Sequence, residues 1–274
     1  MLAETLAELR RQTRAPDRVV VCGGGDADLS GLEAAGAELM TAPLGTSRQR
    51  NAVLAALADC DVVAFLDDDF LPAPGFLAAM AAAFGADPAL VAATGHVVAD
   101  GIKGPGLSVA EGRALLAADA GAAPGEAAVP AYNAYGCNMV LRLAPVRAHG
   151  LAFDEALPLY GWYEDIDLCR RLAPYGRILT LPGARGVHLG VKSGRTSGLR
   201  LGYSQIANPV YLARKGSYAW RRALCSVARH LAINAVRSLH PEPWVDRRGR
   251  LRGNLLALWD LLRGRCDTRR ILEL

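Results

Sequence analysis

Apolar and polar positions alternate between two periods along the first two-thirds of the chain. Residues 2–12 carry apolar side chains at helical spacing. Arg18-Val19-Val20-Val21-Cys22 is a short β-branched run that ends in Gly23-Gly24-Gly25, as a buried strand does where it meets a loop. Residues 47–58 read as a helix with Ser47 as its N-cap. A capping box would place an acid or amide three residues on, and Arg50 stands there instead. Asp61-Val62-Val63-Ala64-Phe65-Leu66 is a second buried strand, and it runs straight into Asp67-Asp68-Asp69. A helix over 74–84, with Pro74 near its start, and a third strand over 90–98 continue the rhythm. Strands alternating with helices predict an α/β fold, a mostly parallel sheet flanked by helices.

The pattern then weakens. Residues 101–130 are rich in Gly and Ala and read as a variable insertion. A strand over 133–141 returns to the sheet, 164–172 is a short helix that opens on Glu164-Asp165-Ile166-Asp167, and 178–181 and 186–189 are short extended pieces. A polar, glycine-bearing loop spans 192–198. Helical stretches follow over 217–238 and 251–263, separated by Pro241-Glu242-Pro243. No internal repeat is present. These patterns predict a catalytic-type domain over 1–215 and a helical extension over 216–274.

The 274 residues are 51% hydrophobic and 21% charged, enough apolar surface for a packed core and too much for a disordered chain. No run of about eighteen apolar residues occurs, so no transmembrane helix is expected. The first residues, Met1-Leu2-Ala3-Glu4, lack the basic start and apolar stretch of a signal peptide. The six cysteines form no C-x-x-C pair, and four lie in apolar stretches, which predicts free thiols in a reducing, cytoplasmic setting without a zinc site. The net charge of +4 is unevenly spread: residues 212–274 hold 14 Lys and Arg against 5 Asp and Glu, while the remainder is net acidic. A basic tail on an acidic body suits a solvated arginine-rich face, or one that meets an anionic membrane surface. Leu251, Leu255, Leu256, Leu258, Trp259, Leu261 and Leu262 give the last helix a broad apolar side, fit for an interface, a partner or the body of the protein.

Three adjacent carboxylates at the end of an apolar strand repel one another, so a cation would relieve them. Hard oxygen ligands suit Mg²⁺ or Mn²⁺, which also bind phosphate oxygens. An exposed acidic turn is the competing explanation. Glu164 and Asp165 sit where a helix dipole favours carboxylates, and either could also serve as a general base. His188 ends a short apolar strand, where it could be a packed core histidine or a metal ligand.

Four segments in order resemble family 2 glycosyltransferases of the GT-A fold, over roughly residues 1–215. Gly45-Thr46-Ser47-Arg48-Gln49-Arg50-Asn51 resembles the helix start that precedes the D-x-D strand. Phe65-Leu66-Asp67-Asp68-Asp69 resembles the D-x-D region itself. Tyr160-Gly161-Trp162-Tyr163-Glu164-Asp165 resembles the E-D motif, and Val187-His188 the histidine that follows. The resemblance implies a metal-dependent inverting enzyme that moves a sugar from a nucleotide diphosphate sugar to a hydroxyl of a glycan or lipid-linked glycan. It implies no nucleic-acid partner. Asp69 and His188 would ligate Mn²⁺ or Mg²⁺, Asp67 would contact the ribose or nucleotide, and Asp68 would support the pair. Arg50 and Asn51 would reach the nucleotide. Asp165 would be the catalytic base, with Glu164 orienting hydroxyls and Trp162 forming an apolar platform. Asp167 would be secondary. Asn138, in Gly136-Cys137-Asn138-Met139, would lie toward the acceptor, and Lys192 and Arg195 would neutralise the departing diphosphate.

One departure marks the N-terminus. The family's domains open with a central strand, and this sequence opens on the helix that follows it. Strands 18–22 and 61–66 are therefore expected either to close on each other or to leave open edges. A catalytically inactive glycan- or partner-binding module of the same fold is the alternative to the enzyme. A nucleotidyltransferase is a third reading, disfavoured because no Gly-rich, basic loop follows a first strand.

Overall fold

The computed structural model describes residues 1–32, 36–120, 127–192 and 197–274. By contacts the chain divides into two compact units. The first comprises residues 1–43, 49–152 and 168–192, and the second 44–48, 153–167 and 193–274.

The first unit is α/β. Helix α1 (Leu2–Arg10) leads to β1 (Val20–Gly23), the short helix α2 (Asp26–Leu29) and β2 (Glu38–Thr41). Leu6 of α1, Val21 of β1, and Leu29 and Leu32 form one small buried cluster. Helix α3 (Thr46–Ala56) precedes β3 (Val62–Leu66) and β4 (Phe70–Pro72), and α4 (Phe76–Ala86) precedes the long β5 (Leu90–Asp100). Then come α5 (Val109–Asp119), β6 (Val129–Pro130), β7 (Asn138–Arg142), α6 (Leu143–Ala148), α7 (Glu164–Leu172), of which residues 164–167 count with the second unit, and β8 (Arg177–His188). The main core lies where Phe76, Met80 and Phe84 of α4 pack on Leu90, Ala93, Val140, Leu181 and Phe70. Alternation explains part of it: in β3, Val63 and Phe65 are buried while their neighbours are partly exposed.

The class expected from the sequence is present, a central sheet flanked by helices, but its strand senses are mixed. The six-stranded sheet runs β3-β7-β5-β8-β4, with β6 also on β8. Only β5 and β8 pair in parallel there: β7 enters antiparallel between β3 and β5, and β4 and β6 each pair antiparallel with β8. β1 and β2 form a separate parallel pair. Of the two outcomes expected for the N-terminal strands, open edges are the one seen. Among the described residues, β1 pairs only with β2 and β3 only with β7.

Several local expectations change. Residues 101–130 are not a patternless insertion: α5 starts at a capping box in which Ser108 and Glu111 satisfy each other's backbone N–H groups. The sequence had shown that box, hidden by the surrounding Gly and Ala. Ser47 does not cap α3, which begins at Thr46; its hydroxyl instead donates to the Leu157 carbonyl. The two extended pieces over 178–181 and 186–189 are one twelve-residue strand whose pairing with β5 is interrupted by register shifts.

The second unit is helical. Helix α8 (Gly198–Lys215) was not foreseen, since Pro209 lies inside it and glycines break its apolar pattern. It packs with α9 (Trp220–Arg237) and α10 (Arg247–Leu262). Those glycines are the reason for the packing. A Cβ on Gly253 would stand 2.1 Å from the Leu199 carbonyl oxygen, and one on Gly202 would stand 2.1 Å from that of Arg250. The bare backbones let α8 and α10 touch. Asn254 then donates to the Gly202 carbonyl at 2.7 Å, and Asn234 of α9 donates to Gln205 and Asn254.

Gly253→Ala is expected to destabilise the protein by about 1–3 kcal/mol, because the obstacle is backbone that cannot rotate away. Gly75→Ala, where an added Cβ meets nothing within 4 Å, serves as the control. Thermal or denaturant unfolding reads the difference, and equal stability of the two variants would refute the close crossing.

Candidate metal and donor site

Register builds the site in the first unit. β4 pairs with β8 so that Phe70 faces His188, and β5 pairs with β8 so that Asp100 faces the same residue. Asp69, one residue before β4, therefore reaches His188 from one side and Asp100 reaches it from the other. His188 Nδ1 lies 2.9 Å from Asp100 Oδ1, and Nε2 lies 3.3 Å from Asp69 Oδ1. Asp69 Oδ2 also accepts the Val191 N–H at 2.8 Å, which ties the turn to the chain beyond β8.

Asp67, Asp69 and His188 each bring one ligand atom within 4.8 Å of the others. Hard carboxylate oxygens plus an imidazole suit Mn²⁺ and fit Mg²⁺ through the oxygens. The sequence reading gave Asp67 to the ribose, and the structure groups it with the two expected ligands. Asp67 also faces Arg50, whose Nη2 lies 3.3 Å from Asp67 Oδ1 and donates to the Gly136 carbonyl at 2.9 Å. Arg50 is itself buried, with its guanidinium over the Phe65 ring. Asn51 follows it on α3. Asp68 is exposed at the turn, its pKa pushed up by desolvation and by the charges of Asp69 and Asp67.

Asp100 is the residue the sequence reading missed. Its signal was an acid at the end of an apolar strand followed by glycine. It accepts the Ile102 N–H and the Tyr135 hydroxyl, as well as the His188 Nδ1–H. Burial would raise its pKa, but these hydrogen bonds and the imidazolium hold it below the ordinary value. A carboxylate behind a histidine fixes the ring and leaves Nε2 toward a metal. Burial alone would lower the His188 pKa; the bonds to Asp100 and Asp69 and their charges outweigh it and raise the pKa to about 9.

The remaining expected residues separate. Asn138 is fully buried, so it does not reach a ligand directly. Its Oδ1 accepts the Thr94 hydroxyl and the Gly95 N–H, joining β7 to β5, and its Nδ2 has no partner among the described residues. Lys192 donates to the carbonyls of Gly101 and Ile102 at 3.1 and 3.0 Å. Arg195 lies outside the described residues. Trp162, Glu164 and Asp165 belong to the second unit. There Leu159, Gly161 and Tyr163 all have positive φ (58°, 65° and 78°), a tight coil that delivers the chain into α7. Such backbone costs of order 1–3 kcal/mol per non-glycine residue and persists where structure over-determines it. Trp162 stacks with Tyr160 and with Tyr163, and His230 meets it edge-on. Glu164 is buried, and Asp165 Oδ1 accepts the Ile166 N–H. Asp167 is fully buried and held by Lys215 at 2.9 Å and Ser217 at 2.6 Å, a structural post.

Residues 1–107 match the family described as glycosyl transferase family 2, and the central sheet flanked by helices has the GT-A fold. No curated protein matches the sequence. Solved structures do. A crystal structure of S. aureus TarS residues 1–349 is similar over 95% of this chain and 79% of its own, at 15% identity and a TM-score of 0.50. The mannosyltransferase PcManGT from Pyrobaculum calidifontis, in complex with GDP-Man and Mn²⁺, is similar over 99% and 81%, at 17% and 0.51. GalNAc-T7 with UDP, GalNAc and Mn²⁺ is similar over 98% and 53%, at 14% and 0.54. At these identities the likeness is one of fold.

Metal binding must displace the His188 proton. Below about 9, where free His188 is charged, Mn²⁺ affinity is expected to climb with pH from 6.5 upward. His188→Gln should remove that slope, and Asp100→Asn should weaken Mn²⁺ roughly 10–100-fold. Titration of Mn²⁺ by calorimetry across this range checks both, and a pH-independent affinity in the unaltered protein would contradict the assignment.

Proposed function

We propose that the protein is a metal-dependent, inverting glycosyltransferase that transfers a sugar from a nucleotide diphosphate sugar to a hydroxyl of a glycan or lipid-linked glycan. The observation that carries this reading is the Asp67–Asp69–His188 group, where the turn after β3 meets the end of β8, in a chain with a family 2 segment and a GT-A fold. Its structural neighbours with GDP-Man or UDP and Mn²⁺ support a nucleotide-sugar donor. A Mn²⁺ or Mg²⁺ ion held by Asp69, His188 and Asp67 would supply Lewis-acid stabilisation of the diphosphate.

The chain's own residues do the rest. Arg50, fixed by Asp67 and the Gly136 carbonyl, meets the nucleotide with Asn51, and Asp68 supports the pair beside it. Asp165 takes the proton from the acceptor hydroxyl as that oxygen bonds to the anomeric carbon. The bond from that carbon to the diphosphate oxygen breaks on the opposite face, and the nucleoside diphosphate leaves. Glu164 orients hydroxyls, and Trp162 offers its ring face to a sugar. Lys192 and Arg195 would neutralise the charge on the departing diphosphate. Residues 1–215 carry the transfer and 216–274 are an extension whose basic helices suit work beside an anionic membrane. Among the described residues no helix is long and apolar enough to cross a membrane.

Asp165→Asn is expected to cut transfer to acceptor by at least about 100-fold while Mn²⁺-dependent nucleotide binding persists. Turnover assays with a panel of nucleotide sugars, paired with thermal-shift measurements, separate the two effects. Near-normal turnover would move the base to Glu164, because Asp167 is engaged with Lys215 and Ser217.

A second reading, an inactive module of the same fold, is favoured by the open edges of β1 and β3. Arg18, before β1, donates to the Ala56 carbonyl and Asp59 behind β3, and Gln49 of α3 donates to the Cys22 carbonyl at the end of β1. The two strands thus lie along one helix without pairing. Thr5 of α1 donates to the Asp68 carbonyl at 2.8 Å, so α1 begins beside the end of β3. An unpaired slot between β1 and β3 would weaken nucleotide binding, so a lack of Mn²⁺-dependent nucleotide stabilisation in the thermal-shift measurement would favour the inactive module.

A further inference from the structure

We propose that the outward faces of α9 and α10 form a membrane-docking surface for anionic lipid. The proposal extends the glycosyltransferase reading only in giving that enzyme a place to work, and it stands on the second unit's own helices.

Each helix turns a defined stripe to solvent. In α10, Arg248, Arg252, Leu255, Trp259, Leu262 and Arg263 are exposed, at successive steps of four, three, four, three and one, which puts them within one face. Gly253, Asn254, Ala257 and Asp260 fill the opposite face against α8 and α9. Leu262 is 84% exposed and Trp259 51%, large costs to leave in water. The Arg263 guanidinium lies 4.1 Å over the Trp259 ring, so the charge stands directly on the apolar stripe. In α9 the buried residues are Ala223, Ser226 and Asn234. The other side exposes Leu224, Ala228, Ala232, Val236 and, just beyond the helix, Leu239. Arg221 and Arg229 are exposed on the same helix, with Arg221 at the end of that stripe and Arg229 along its flank. Trp220 and Trp244, at the helix start and in the α9–α10 connection, are exposed as well. Three of the protein's four tryptophans therefore stand in solvent on this one unit.

Charge selects the occupant. Residues 217–239 contain no Asp or Glu. Of the five acids that follow, Glu242 pairs with Arg237 and Arg247, Asp246 caps α10, Asp260 is buried under Tyr203 and Arg270, Asp267 accepts the Arg269 N–H, and Glu273 lies beyond α10. A second copy would bring the same cations against these cations. Tryptophan and leucine rimmed by arginine match the boundary between acyl chains and anionic headgroups, where indole is wet at one edge and apolar elsewhere.

The test is flotation of the full-length protein with phosphatidylcholine vesicles that contain or lack phosphatidylglycerol, with tryptophan emission read in parallel. Partition to the anionic vesicles only, a blue shift, and release at about 0.5 M salt are expected. Each arginine near the surface is worth roughly fivefold in partition. Arg221→Gln with Arg229→Gln should therefore weaken partition about 25-fold, and Trp259→Ser with Leu262→Ser should abolish the blue shift. Unchanged melting temperatures establish that these variants are folded. Failure to partition, equal affinity for neutral vesicles, or lipid-independent self-association abolished by the same substitutions would each overturn the proposal. Mn²⁺-dependent nucleotide binding, measured without vesicles, reads the glycosyltransferase assignment separately.

Discussion

The site depends on the register of one strand. β8 is paired with β4 on one side and β5 on the other, and both registers meet at His188. That is what sets an aspartate from the β3–β4 turn and one from the end of β5 on either nitrogen of a single imidazole. A slip of one residue in either pairing would turn the histidine to the other face of the sheet and disband the group. The bonds from Thr94 and Gly95 to the buried Asn138 help to hold β5 against β7, one strand further in. A fully buried residue thus helps to maintain the geometry of the site.

Electrostatics then explain why the cluster is poised for a cation. Asp67, Asp68 and Asp69 are consecutive, and Asp100 lies behind His188. Arg50 beside Asp67 compensates part of this charge. The compensation is unequal: hydrogen bonds hold the Asp100 pKa below its ordinary value, while desolvation and the neighbouring carboxylates push that of Asp68 up. An ion that replaces the proton on His188 would exchange one cation for a more highly charged one at the point where the carboxylates converge.

The helical unit solves a different problem. α8 and α10 approach so closely that glycine is required at the contact, and a polar network of Asn234, Asn254 and Gln205 accompanies an apolar cluster of Tyr203, Ile206, Ala207, Ala257 and Ile271. Trp259, Leu262 and Leu224 stand outside that cluster, in solvent. An exposed apolar stripe of this kind has a use when the outside is not water.

Much of this was written locally in the chain. The strands that end in Gly23 and in Asp67, the D-x-D and E-D segments, and the acidic opening of α7 depend on short-range periodicity and on motifs that are contiguous. They were legible because period and spacing survive in one dimension. Asp100 was not, because nothing near it in sequence says that it will face a histidine 88 positions away. Nor was the grouping of Asp67 with the metal ligands, the antiparallel entry of β7, or helix α8, whose glycines look like breakers until α10 lies against them. Asn138 carried a plausible local motif and still went to the interior. Pairing register and close helix approach are decided by which partners arrive from far along the chain, and only the folded structure holds that information.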